Sequence, residues 1–141
     1  MATFKVKYAT RNKLAKALQR TIKDLTLIET YDLYNSVRIS AMSGTRLNEI
    51  NLIVNVLYYY YFLDEGTQYI APFDITERWL GSSEVQSIIN EVMQEYIAWQ
   101  FETYPLLEMA TILNNPKLTL TFNWIDDPYG LPAGEVSSLI G

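Results

Sequence analysis

VNVLYYYYFLDEGTQ, residues 54–68, is the stretch on which the fold turns. Four consecutive tyrosines, Tyr58 to Tyr61, run into Phe62 and Leu63 and then into an acidic Asp64-Glu65-Gly66-Thr67 segment. Read together with the preceding EINLI, the run alternates. Ile50, Leu52, Val54, Val56, Tyr58, Tyr60 and Phe62 fall on one face, and Ile53, Leu57, Tyr59, Tyr61 and Leu63 on the other. Alternation of this kind predicts a strand of about 14 residues, roughly 45 Å long at about 3.3 Å per residue. A compact domain of this chain's length is roughly 37 Å across. The strand is therefore expected either to bend or to reach beyond its own body. Inner-face rings would complete the core, while Tyr59 and Tyr61 on the outer face would dock a neighbour, a use to which amphipathic rings are suited. The competing expectation is a strand buried on both sides of a two-layer fold.

Working outward, YDLYNSVRISA (31–41) places Leu33, Asn35, Val37, Ile39 and Ala41 opposite Tyr34, Ser36, Arg38 and Ser40, the pattern of a half-buried strand. SGTRLN supplies a turn, so the two strands are predicted to form an antiparallel hairpin. Before them, from Thr10 to about Leu27, Leu14, Leu18, Ile22 and Leu25 recur at helical spacing, with Thr10 as a cap. Lys13, Lys16, Arg20 and Lys23 form a basic ridge on another side of that helix, either a solvated face or an interaction surface.

Downstream, a short helix is expected around Ile75 to Leu80. A longer one opens with Ser83 and Gln86 as a capping box, its stripe being Val85, Ile88, Ile89, Val92, Tyr96 and Trp99. Pro105 ends or kinks it, LLEMATIL adds a helical turn or two, and KLTLTFNW alternates as a third strand. Pro128, Gly130, Pro132 and Gly134 crowd the tail. The expected architecture is α+β: an N-terminal amphipathic helix, a hairpin with a third strand, and a long helix on the sheet. Residues 1–125 are read as a single domain, and 126–141 as an extended arm ordered mainly by a partner.

The 141 residues contain no cysteine and no histidine, which excludes disulfides, thiolate metal sites and every histidine-based catalytic design. No apolar run approaches the roughly 20 residues needed to span a bilayer, and the first residues lack a signal-peptide core, so neither a membrane nor ordinary export is expected. Charge is unevenly placed. Residues 1–46 hold nine Lys and Arg against three Asp and Glu, or +6, whereas residues 47–141 hold two against thirteen, or −11. Such polarity suits nucleic acid, but it equally suits copies packed front to back. Sequence-specific DNA binding is not expected, since the acidic body repels phosphate.

Asp64, Glu65, Asp74 and Glu77 gather around one loop and could, as a set, hold magnesium in a nuclease. The simpler reading is a loop that is solvated or faces a basic partner. Asp126-Asp127-Pro128 reads as a turn initiator. Phosphate loops, dinucleotide fingerprints and serine elbows are missing from the sequence. No catalytic, cofactor-binding or metal residue is assigned.

The order of the pieces resembles the small tail-completion, or head-tail joining, proteins of tailed bacteriophages. That family runs an N-terminal helix, an Asp-Thr-Gly-x-Leu-Arg-x-Ser-Ile motif, a Tyr-x-x-Tyr-Val-Glu-Phe-Gly-Thr segment, and an Ala-Arg-Pro-Phe-Leu segment leading into a helix. Here ETYDLYNSV keeps Thr30, Leu33, Ser36 and Val37, with Glu29 for the aspartate and Tyr31 for the glycine. YYYFLDEGT matches in kind in Tyr59, Asp64, Gly66 and Thr67, with Phe62 replacing an aromatic and Glu65 for phenylalanine, and APFDI matches in Pro72 and Phe73. The likeness spans roughly residues 10 to 98. It implies a non-enzymatic virion part in the neck or tail, a ring of identical copies between the portal-connector assembly and the tail. Partner-binding residues would then be Lys13, Lys16, Arg20, Lys23, Tyr59, Tyr61, Asp64 and Glu65. A carboxylate-and-metal enzyme acting on nucleic acid and a small adaptor for one host protein are the alternatives.

Overall fold

A computed structural model describes residues 4–25, 31–43, 49–103, 117–131 and 134–136. Helix α1 (Tyr8–Lys23) is followed by a short α2 (Tyr31–Ser36), then by strands β1 (Arg38–Ser43) and β2 (Glu49–Leu57). Three helices come next, α3 (Tyr59–Glu65), α4 (Ile75–Leu80) and α5 (Ser83–Thr103), and then β3 (Lys117–Ile125) and β4 (Gly134–Val136). The four strands form one sheet in the order β1-β2-β3-β4. β1 and β2 are the expected antiparallel hairpin, β2 and β3 run parallel, and β4 returns antiparallel to β3.

Register explains the core. Ile39 faces Val54 across β1 and β2, while Ile50, Leu52, Val54 and Val56 face Leu118, Leu120, Phe122 and Trp124 across β2 and β3. Strand side chains alternate, so all of these share one face, and all but Trp124, which is half-buried, are buried against the helices. The other face carries a ladder of polar pairs. Thr119 and Thr121 each donate to Asn51 Oδ1 at 3.1 Å, and Asn123 Nδ2 donates to Asn55 Oδ1 at 2.9 Å. α1 buries Leu14, Leu18 and Ile22 in the same core, and α5 adds Val85, Ile88, Ile89, Val92 and Tyr96. Trp79 of α4, 1% exposed, ties the helices together by donating its indole N–H to the Leu14 carbonyl at 3.2 Å.

Two expected strand segments are helices instead. YDLYNS is α2: Leu33 within it and Val37 just past its end fit a period of two but are also four apart, a spacing that a helix satisfies equally. Both are buried, and Asn35, which the strand reading placed among the inward residues, is exposed. Gln19 Nε2 donates to the Tyr34 carbonyl at 2.9 Å, and Ser36 Oγ accepts the Leu57 amide at 3.1 Å, fixing the short helix to α1 and β2.

The larger correction concerns the tyrosines. β2 ends at Leu57, whose partner Ile125 is the last residue of β3; beyond it Asp126 turns the chain with φ 54°. Tyr58 N–H still reaches the Ile125 carbonyl at 3.0 Å, after which the ladder has no partner to offer. A helix satisfies its own amides, and Tyr61 N–H to the Tyr58 carbonyl at 3.0 Å begins one. The over-long strand therefore resolves into a nine-residue strand and a seven-residue helix.

Two caps also differ from expectation. α1 starts at Tyr8, after Lys7, and Thr10 is a buried residue inside it. At the start of α5 the capping hydroxyl is that of Ser82, which accepts the Val85 amide at 3.2 Å, while Gln86 Nε2 donates to the Leu80 carbonyl at 2.6 Å. Of the tail, Asp127 acts as the expected turn former, accepting the amides of Tyr129 at 2.8 Å and Leu131 at 2.5 Å, and Gly134–Val136 supplies β4. The SGTRLN turn beyond Ser43 and the LLEMATIL segment lie outside the described residues.

Candidate functional site: an aromatic cleft with an acidic rim

α3 lies across the ends of β2 and β3 because its tyrosines are stacked there. Tyr60, 0% exposed, packs on Phe122 at 5.3 Å between ring centroids and on Trp124 at 5.9 Å. Tyr61 meets Trp124 edge-on at 5.7 Å. Tyr58 and Phe62 turn to the other flank and enclose Tyr129 at 5.8 Å each, while Tyr59 sits edge-on to Tyr58 at 5.8 Å. Contacts of this kind contribute about 0.5–1.5 kcal/mol each beyond area burial.

The end of α3 is joined to α4 by hydrogen bonds. Asp64 Oδ1 accepts the Thr76 amide at 2.9 Å and Asp64 Oδ2 accepts the Thr76 hydroxyl at 2.8 Å, so Asp64 caps the next helix from a distance in sequence. Thr76 Oγ1 is also 2.7 Å from the Tyr60 hydroxyl. Burial, and then the nearby Asp64 charge, push the Tyr60 phenol well above its ordinary value, with the Thr76 hydrogen bond acting in the opposite direction. Tyr60 is thus a neutral hydrogen-bonding group at physiological pH.

Between these helices runs a braced loop. Phe73 N–H donates to the Leu63 carbonyl at 2.9 Å, Thr67 N–H to the Ile70 carbonyl at 2.8 Å, and Thr67 Oγ1 accepts the amides of Tyr69 and Ile70 at 3.1 Å each. Gly66 has φ +80°, and a Cβ there would lie 2.8 Å from Pro72 N, so only glycine lets the loop fold back on itself. The loop holds Tyr69 (87% exposed) and Ile70 (43%) out in solvent.

Together α3, the loop, α4 and β3 enclose a cleft of about 510 Å³. Tyr61, Phe122, Trp124, Pro72 and Leu80 supply its apolar walls, and Asp64, Glu65, Asp74 and Glu77 its charge. No Lys or Arg among the described residues lines it. Asp64 has both oxygens engaged by Thr76, whereas Glu65, Asp74 and Glu77 are exposed and make no ion pair among the described residues. The four acidic side chains do converge on one cleft, but no group of three Asp or Glu among the described residues is placed to hold a metal ion.

The basic ridge is divided. Arg20 Nη2 lies 2.6 Å from both carboxylate oxygens of Glu84 on α5, and Lys23 Nζ sits 5.1 Å over the Tyr34 ring. Lys13 and Lys16 are exposed and make no ion pair among the described residues. Tyr59 and Tyr61 are both half-buried, and of the two only Tyr61 lines the cleft. Trp124 and Phe122 escaped the sequence reading as site residues, since only the parallel pairing of β3 with β2 brings them beside the tyrosine run. A local sign did exist: Tyr60 and Asp64 stand four apart, the spacing of one helical face.

No protein-family model, curated protein or solved structure matches the chain.

Proposed function

We propose that this chain is a non-enzymatic structural subunit of a bacteriophage neck or tail, a tail-completion or head-tail joining protein that works as a ring of identical copies between connector and tail. The observation that carries the reading is a pair of unsatisfied, opposite surfaces on one subunit. Among the described residues, an aromatic cleft holds three carboxylates without ion-paired cations, and a helix outside that cleft holds lysines without ion-paired anions. A surface that meets a different surface on the next copy is what a heterologous ring contact requires. Tyr69 and Ile70, held out on a braced loop beside the cleft, add the apolar anchors that interfaces favour.

The motifs behind the phage resemblance also support it. YYYFLDEGT and APFDI, separate in sequence, form one packed unit through the Phe73 to Leu63 hydrogen bond and the close approach of Gly66 to Pro72. Light scattering of the purified chain, alone and mixed with phage-infected lysate, followed by pull-down, tests the proposal. Capture of identified portal, connector or tail proteins is the expected result. A chain that captures none of them, and is missing from purified virions, refutes it.

A further inference from the structure

We infer that the cleft is the receptor for the α1 helix of a second copy, with Lys13 and Lys16 entering between the Glu65, Asp74 and Glu77 carboxylates. This names the partner within the assembly reading above and rests on it. The cleft's chemistry selects its occupant. Its walls are aromatic and its rim is anionic, with no cation among the described residues of the lining, so the matching group is an ammonium carried on an apolar stem. A lysine meets both demands, with methylenes against Trp124 and Tyr61 and the charged end among the carboxylates. On this chain the supply is narrow. Arg20 is held by Glu84, Lys23 lies over Tyr34, and Lys7 is within 3.9 Å of Glu95. Lys5, Lys13 and Lys16 are exposed and without ion pairs among the described residues, and of these only Lys13 and Lys16 stand on α1, three residues apart and therefore neighbours on one helical face.

The contact cannot close within one subunit as it stands, because the lining contains no residue of α1. It is therefore intermolecular and heterologous, each copy offering its helix to one neighbour and its cleft to another. Exposed Tyr8 on α1 and Tyr69 beside the cleft give each side an aromatic ring for the contact.

Two half-blind variants test it by sedimentation velocity on the full chain over a concentration series. Lys13→Ala with Lys16→Ala removes the helix side and leaves the cleft; Glu65→Gln with Glu77→Gln removes cleft charge and leaves the helix. All four positions are exposed, and circular dichroism checks that each variant folds. The wild type is expected to associate beyond its 16.3 kDa monomer, and each variant at least about tenfold more weakly. Mixed one to one, the variants are expected to form a heterodimer and nothing larger, since only one good helix and one good cleft remain to pair. A wild type that stays monomeric, variants that associate like wild type, or a mixture that stays as two monomers overturns the inference. Capture of neck proteins by a persistently monomeric wild type would sink this contact and leave the assembly reading standing; association of a chain missing from virions would do the reverse.

Discussion

Replacing Tyr60 by phenylalanine should destabilise the protein at neutral pH, and that deficit should shrink as the pH rises past the ordinary phenol value of about 10. The ring stays, and with it the stacking on Phe122 at 5.3 Å and the contact with Trp124. What is lost is one hydrogen bond to Thr76 Oγ1, which still donates to Asp64 and so is not stranded. A bond of this kind is worth about 1 kcal/mol, or roughly 4 °C of melting temperature in a domain of this size. Alkali changes the balance. The native phenol is raised by burial and by the Asp64 charge, so the unfolded chain gives up this proton first, near the usual phenol value of about 10. Above that pH the native state binds more protons than the unfolded one, and stability falls by about 1.4 kcal/mol per pH unit until the native phenol itself ionises. In that range the wild type loses stability through this group and the variant does not, so the gap between them narrows as the pH climbs. The other ten tyrosines are common to both proteins and cancel in the comparison. Urea unfolding of both proteins at intervals from pH 7 to 11 measures the gap. A gap that keeps its sign and size throughout would mean that the phenol is not held neutral by the fold. A cost near the 3–5 kcal/mol expected for full truncation to alanine would mean that the ring does not keep its place.

Gly66→Ala should cost about 1–3 kcal/mol in thermal unfolding, because the residue sits at φ +80° with Pro72 N 2.8 Å from the new Cβ; an unchanged melting temperature would disprove the tight reversal. Trp79→Phe removes the buried indole bond to the Leu14 carbonyl and some ring volume, for an expected loss of about 1–3 kcal/mol, read from the urea midpoint at unchanged slope. Arg20→Ala should cost no more than about 1 kcal/mol despite the short contact to Glu84, since both side chains are more than half exposed and solvent screens the pair. A loss several times larger would make that pair a principal clamp between α1 and α5.

Where a sequence pattern ran long enough, it was decisive. The stripe Val85, Ile88, Ile89, Val92 and Tyr96 has no reading but a helix, and Leu118, Leu120 and Phe122 none but a strand. The two failures lie where periods of two and four coincide. Leu33 and Val37 satisfy both, and an unbroken run of tyrosines satisfies any period at all. What decided the tyrosine run was not local: Ile125, some 68 positions from Leu57, is where the neighbouring strand stops. The same nonlocality hid one wall of the cleft. Asp64, Glu65, Asp74 and Glu77 could be grouped because one loop carries them, but Trp124 and Phe122 reach it only through the sheet.

The placement of the cleft follows from that sheet. β2 and β3 run parallel, so their carboxyl ends lie at the same edge, and α3 must leave β2 there just as β3 turns away. Crevices at the carboxyl ends of parallel strands are habitual binding places. Here the departing helix brings tyrosines to wall the crevice, and the loop after it brings carboxylates. Glu65, Asp74 and Glu77 give that opening like charges, and no Lys or Arg among the described residues lines it. An incoming ammonium offsets that charge. Added salt, by screening those carboxylates from the incoming lysines, should weaken association most for the wild type and least for the Glu65→Gln and Glu77→Gln variant. Equal salt dependence in the two proteins would place the driving charge elsewhere.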